Sequence, residues 1–254
     1  MRTQKISFLI ALLLTPLCFM AQETKKSQAF WVHEDVVKPS MVAEYESVCK
    51  ELMNNVKKHN IQEMNNIVAK TADNRYMWVG PIENMAQLDQ PVFGDLPEKM
   101  GADKMGALFD RMDKCYDIEQ NYIIHLDNEM SYMPGGISQT IEGEDYRKFH
   151  YFHYTPGNRA AVKAGVKAIK DLFESKGSKM HYRVYRSGFG TRGEFYMVAV
   201  AAKDAADYAN RIAANNEAMG EEWQNTYNDF LATLDKYEVF EAVMLPEMGY
   251  SPSN

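Results

Sequence analysis

Cysteine is almost missing from this chain, with three residues in 254. That scarcity excludes a disulfide-built scaffold, and with no Cys-x-x-Cys pair it excludes a redox dithiol site as well. Beyond the first twenty positions no apolar run approaches the roughly 20 residues that a membrane helix requires, so membrane insertion is not expected. Basic charge is also short: 28 Lys and Arg stand against 35 Asp and Glu, for a formal charge of −7. No dense Lys/Arg patch reverses that balance locally, and a nucleic acid would be repelled. The sequence has no Gly-rich phosphate loop, no Gly-x-Ser-x-Gly elbow and no His-Glu-x-x-His helix. The segment SGFGTRGE at 187–194 holds three glycines but falls between two strand-like runs, so it reads as a hairpin turn.

What is present suffices for a folded protein. A 46% hydrophobic and 25% charged composition supports a substantial core. Residues 1–21 read as an export segment: Arg2 and Lys5 supply positive charge, ISFLIALLL is a short apolar run, and Ala21 precedes polar Gln22. A lipid anchor through Cys18 is the alternative, and bulky Leu17 argues against it. The expected product is exported, periplasmic or secreted. Its loss of two positive charges and no negative one deepens the net charge by two. Cys49 falls on an apolar stripe with Tyr45, Leu52 and Val56, and Cys115 on one with Leu108 and Met112. Two readings stand: a disulfide if those helices adjoin, or two buried thiols.

The dominant signal is internal repetition. NEMSYMP at 128–134 and PEMGYSP at 246–252 share Glu-Met-x-Tyr-x-Pro, and EKMG at 98–101 answers EAMG at 217–220. FWVHEDVVKPSMVAEY and FHYFHYTPGNRAAVKAG each place a histidine in an aromatic run leading into a helix, with His33 and His153 lying 120 positions apart. Val42 and Val162, Leu52 and Leu172, and Tyr76-Met77 and Tyr196-Met197 share that spacing. The chain therefore divides into repeat 29–134, a Gly-rich polar linker 135–146, and repeat 147–252.

Each repeat reads as strand, helix, strand, strand, helix, strand, the ferredoxin-like order. In the first, strands are expected at 30–36, 64–70, 75–79 and 122–126, with helices at 40–59 and about 103–119. In the second, strands are expected at 149–154, 180–186, 195–201 and 239–245, with helices at 159–175, from 204, and at 221–236. An antiparallel sheet covered on one side leaves an apolar face that two copies can bury against each other. This order resembles the dimeric α+β-barrel superfamily, with two units fused in tandem into a pseudo-dimeric barrel of α+β class. The resemblance implies a ligand pocket inside the barrel and admits haem-linked or cofactor-independent oxygenases. No catalytic set carries over residue by residue.

Strand alternation then nominates an interior. Trp31, His33 and Asp35 share one face of the first strand, and the 120-residue spacing matches them to Tyr151, His153 and Thr155, with Val32 and Phe152 turned toward the helices. His181, Arg183 and Tyr185 are taken as the inner set of a second-repeat strand, and His125 and Glu241 as inward-pointing on the closing strands. The expected ligand-binding residues are thus Trp31, His33, Tyr151, His153, His181, Arg183, Tyr185 and Glu241, with His33 and His153 as candidate general bases. His150 falls on the other face and outside that set. Sheet-bound histidines are the plainer reading of His33 and His153. A metal held by His33, His125, His153 and His181 is the sharper one, but no ligand spacing supports it, so no metal is expected. Arg183 has two candidate roles, holding an anion or pairing with Glu241 or Asp35. The function expected is the binding of a small aromatic or apolar molecule between the two sheets; the alternatives are an oxygenase-type enzyme using a barrel histidine, whose cofactor the sequence does not name, and a filled barrel acting through its outer surface.

Overall fold

The computed structural model describes residues 26–253; the expected export segment and Cys18 lie outside the described residues. Eight strands form a closed antiparallel barrel: β1 (Ser27–Val37), β2 (Ile67–Thr71), β3 (Arg75–Ile82), β4 (Tyr116–Tyr132), β5 (Tyr146–Tyr154), β6 (Tyr182–Ser187), β7 (Glu194–Ala202) and β8 (Lys236–Met244). Around the ring they run β1-β3-β2-β8-β5-β7-β6-β4. Five helices pack outside: α1 (Val42–His59), α2 (Leu96–Met100), α3 (Ala102–Met112), α4 (Arg159–Lys176) and α5 (Ala205–Leu231). Closure comes from β2 against β8 and β4 against β6, so among the described residues no strand edge is left unpaired.

Local chemistry sets the boundaries. Pro39 and Pro156 open the short 3-10 turns that lead into α1 and α4. Both helices stop at a left-handed residue, Asn60 and Gly177. Asp204 caps α5 by accepting from the Asp207 N–H, while the Asp207 carboxylate accepts from the Lys203 N–H. The repeated Met-Gly of EKMG and EAMG marks helix breaks. Gly101 (φ 97°) separates α2 from α3, and Gly220 (φ 62°, ψ −152°) interrupts α5.

Three clusters make the core. One lies between the β1–β3 side of the barrel and α1–α3, with Tyr45, Leu52, Met53 and Tyr76. Another lies under α4 and α5, with Phe152, Val162, Phe173 and Phe230. The third fills the barrel itself with Phe30, Val32, Met77, Phe149, Tyr185 and Met197. The closing motifs cross over. Met130 and Tyr132, at the end of β4, belong to the cluster under α4 and α5. Met248, with no exposed surface, and Tyr250 pack into the cluster under α1. Tyr250 also bridges to Asn66 and donates to Asn60 Oδ1 at 3.0 Å.

Some expected boundaries move. The helix expected to reach residue 119 stops at Met112, and β4 runs 17 residues instead of five, because it pairs first with all of β1 and then with β6. Residues 124–127 pair with both neighbours, and a bulge between Asp127 and Tyr132 shifts the register against β6; Asp127 Oδ1 accepts from the Glu129 and Met130 N–H groups. Cys49 and Cys115 are unpaired, buried thiols of one cluster, and burial pushes both above the ordinary thiol pKa.

Candidate site between the helices and the barrel

Along β5 successive side chains alternate between the barrel and the helices. Phe149, Tyr151 and His153 point inward, where the Tyr151 ring lies 5.2 Å from that of Phe195 and 5.7 Å from that of Phe240. His150, Phe152 and Tyr154 point outward, under α4 and α5. There the packing is incomplete. A cavity of about 240 Å³ lies between the two helices and the outer face of β5–β7. Phe152, Val184 and Val198 line it from the sheet, Phe173 from α4, and Ile212 and Trp223 from α5.

The break at Gly220 shapes this space. The first part of α5 brings Tyr208 and Ile212 to the cavity, and the second part, turned by the glycine, brings Trp223, Tyr227 and Phe230. Trp223 and Tyr227 stack at 4.9 Å. Phe230 reaches the sheet because α4 carries Gly165 opposite it; a Cβ there would lie 2.6 Å from the Phe230 ring. Under α1–α3 the corresponding volume is occupied by Leu52, Met53, Val56, Met105, Leu108 and Met112.

Of the polar side chains at the cavity, which include Tyr182 and Asn216, His150 is the one held on both sides. Its Nδ1 lies 2.6 Å from Tyr237 Oη and its Nε2 3.1 Å from Tyr208 Oη, so in the neutral ring one hydroxyl donates and the other accepts. Burial, assisted by the nearby Lys148 ammonium, lowers the imidazole pKa to about 4. Burial also raises Tyr208 to about 12 and lifts Tyr237 further. Tyr182 Oη is buried without a hydrogen-bond partner. At neutral pH this is an uncharged, aromatic-walled chamber with one imidazole and several phenol groups. The space and donors do not fit a haem, which is larger than this volume and requires a free axial donor, whereas both His150 nitrogens are engaged.

The residues nominated from sequence separate into two groups. Tyr151, His153, Arg183 and Tyr185 do face the barrel interior. His153 Nε2 lies 2.9 Å from Glu238 Oε2, and Arg183 donates to the Ser138 carbonyl at 2.6 Å, not to Glu241 or Asp35. Trp31, His33 and Asp35 do not face the interior. Asp35 accepts from Tyr45 Oη on α1, and it is Val32 that lies inside the barrel. Glu241 points outward to Lys148, 2.8 Å away, because its neighbours Phe240 and Ala242 occupy the interior. His125 likewise lies between the inward residues Ile124 and Leu126. His181 is exposed, one position before β6. The four histidines nominated for a metal therefore do not converge. Inside the barrel, burial holds the Glu34 carboxyl above its usual range while Tyr122 Oη donates to it at 2.9 Å.

His150, set aside in the sequence reading, is the polar centre of the cavity. The signal that could have found it is the spacing of helix ends. Pro39 and Pro156, and the caps Asn60 and Gly177, are each 117 positions apart, and that spacing carries His33 to His150.

No family profile and no curated protein matches the chain. Solved structures do. An anthrone oxidase-like protein superposes with a TM-score of 0.55 at 11% identity, over 87% of this chain and 92% of the other. A protein of Lactobacillus acidophilus provisionally named a monooxygenase gives 0.53 at 10% identity, over 86% and 94%. One from Fusobacterium nucleatum with the same provisional name gives 0.51 at 13%, over 87% and 94%. At these identities the likeness is one of fold alone.

Proposed function

We propose that residues 29–134 and 147–252 are two ferredoxin-like units fused in tandem, exported through residues 1–21, and that the second unit binds a small planar aromatic molecule between its helices and its sheet. The repeated strand order, β4-β1-β3-β2 and β8-β5-β7-β6, supports the tandem reading. The observation that carries the binding reading is the cavity itself, about 240 Å³ with apolar walls and one tyrosine-held imidazole. An apolar cavity of about 150 Å³ accepts benzene, so this one suits a one- or two-ring aromatic whose single polar group meets the unpartnered Tyr182 hydroxyl. The test is titration with 1-naphthol and related phenols, followed by calorimetry. Saturable one-to-one binding, lost when Val198→Trp fills the cavity in a still-folded protein, is expected. Equal binding by the filled variant, or none by either protein, refutes the reading.

A second reading is oxidation of such a ligand by dioxygen. It accords with the names of the neighbouring folds, and its base would be His150 once a ligand hydroxyl displaces Tyr208 or Tyr237 from a ring nitrogen. Oxygen uptake with 1-naphthol, abolished by His150→Gln while 1-naphthol still binds, is the expected result; uptake unchanged in that variant removes His150 from any chemistry.

A further inference from the structure

On the opposite side of the molecule, β1 and β4 pair with His33 against Asn121 and Asp35 against Glu119. The two-residue period puts all four side chains on the outer face, with Trp31 beside them. Asp35 is 1% exposed. Its Oδ2 accepts from Tyr45 Oη at 2.6 Å, and Tyr45 Oη accepts from Trp78 Nε1 at 3.0 Å. Its Oδ1 is buried, receives no hydrogen bond, and faces His33 Nε2 at 3.3 Å.

The hydrogen bonds around the imidazole decide what this contact is. Trp31 Nε1, which can only donate, lies 3.1 Å from Asn121 Oδ1. That fixes this Asn121 atom as the carbonyl oxygen, an assignment that also lets Asn121 Nδ2 donate to Glu119 Oε1 at 3.1 Å. His33 Nδ1 lies 3.1 Å from the same oxygen and therefore carries the proton. In the neutral ring Nε2 is then the lone-pair nitrogen, and it faces a carboxylate oxygen that has no donor. Two acceptors held together this way call for a cation between them, which is a proton on Nε2, favoured by the Asp35 carboxylate against the cost of burial, or a metal ion.

We infer that His33, Asp35 and Glu119 form a binding site for a divalent transition metal of the zinc class. One ligand atom from each of the three falls within 4.8 Å of the others. Zinc–nitrogen and zinc–oxygen bonds of about 2.0–2.2 Å place tetrahedral ligands roughly 3.3–3.6 Å apart, and the His33–Asp35 separation already matches. A neutral imidazole with two carboxylates balances a 2+ ion and is a donor set suited to zinc. The outer partners are those that orient metal ligands: a carbonyl on the second imidazole nitrogen and a phenol on the second carboxylate oxygen. Glu119 Oε1 lies 3.8 Å from His33 Nδ1 and accepts from Asn121 Nδ2, so this side chain, 46% exposed, is the ligand that turns to close on the ion, and the open edge leaves a fourth position for water.

The experiment uses chelator-stripped protein, titrated with zinc by calorimetry and with cobalt by visible absorption. One zinc per chain and tetrahedral cobalt bands are expected. His33→Ala and Glu119→Gln, both of partly exposed residues, should each weaken zinc by more than tenfold while leaving circular dichroism unchanged; Asp35→Asn should do so as well if it folds. Absence of saturable zinc binding overturns the inference, as does an affinity that His33→Ala and Glu119→Gln leave unaltered. Nitrogen-detected NMR showing both His33 ring nitrogens protonated in the presence of zinc overturns it too, since the contact would then be a simple ion pair.

Discussion

Acid should weaken this protein through one histidine. In the folded chain His150 is packed beside Phe152, with Tyr208 of α5 and Tyr237 of β8 on its nitrogens and the Lys148 ammonium nearby on its own strand. Its pKa falls to about 4, against about 6.5 in an unfolded chain. Because the folded-state value is the lower one, the unfolded chain binds the proton first as pH drops. Stability is therefore full above about pH 6.5 and is lost as pH falls toward the folded-state value of about 4. A gap of about two and a half pH units, at about 1.4 kcal/mol each, sets an upper value of about 3.5 kcal/mol, of which about 3 is lost by pH 4, and solvent at the cavity rim reduces it. Urea denaturation of wild type and His150→Gln at pH 7 and pH 4 isolates this term, because the carboxylates titrate equally in both. Wild type should lose up to about 3 kcal/mol more than the variant. Equal losses would show that the folded protein does not hold His150 neutral, and would remove the electrostatic basis of the proposed base.

Other perturbations test the packing. Gly165→Ala places a methyl 2.6 Å from the Phe230 ring; overpacking of about 1–3 kcal/mol should outweigh the roughly 1 kcal/mol helix-propensity gain, so thermal unfolding should come earlier. Met248→Ala empties a fully buried site and should cost about 2–5 kcal/mol. Because Met248 packs under α1, hydrogen exchange should quicken in α1 before α4. Cys49 and Cys115 are buried with raised pKa values, so iodoacetamide should label neither until the protein unfolds; rapid labelling of the native state would contradict their placement.

The order of elements was legible because it depends on local chemistry. Proline ahead of α1 and α4, left-handed caps after them, and alternating aromatic runs are signals that no distant contact overrides. The barrel class followed from repeated element order and from the need to bury a sheet face. The length of β4 was not legible, since Glu119 to Asn121 carries polar side chains on an exposed stretch whose strand character comes from pairing with β1. Nor was the crossing of the closing motifs, which depends on which half each tail meets in space.

The site was misplaced for a reason that can be counted. Between β2 and β3 the loop is residues 72–74; between β6 and β7 it is 188–193, three residues longer. Downstream of it Tyr76 answers Tyr196, 120 positions on, but upstream the helix ends answer each other at 117. Carrying the downstream spacing back to β1 shifts the match by three, an odd number. In a strand an odd shift exchanges the two faces. His33 was therefore matched to inward-facing His153 when its topological counterpart is His150, and both His33 and His150 face the helices. The corrected match explains why both candidate sites lie outside the barrel. The same strand position supplies an imidazole in each half. In the first half it meets Asp35 and the Asn121–Glu119 pair of β4, a polar setting for a cation. In the second half Phe152 stands where Asp35 does, and among the described residues two tyrosines hydrogen-bond the ring, a setting for an aromatic ligand.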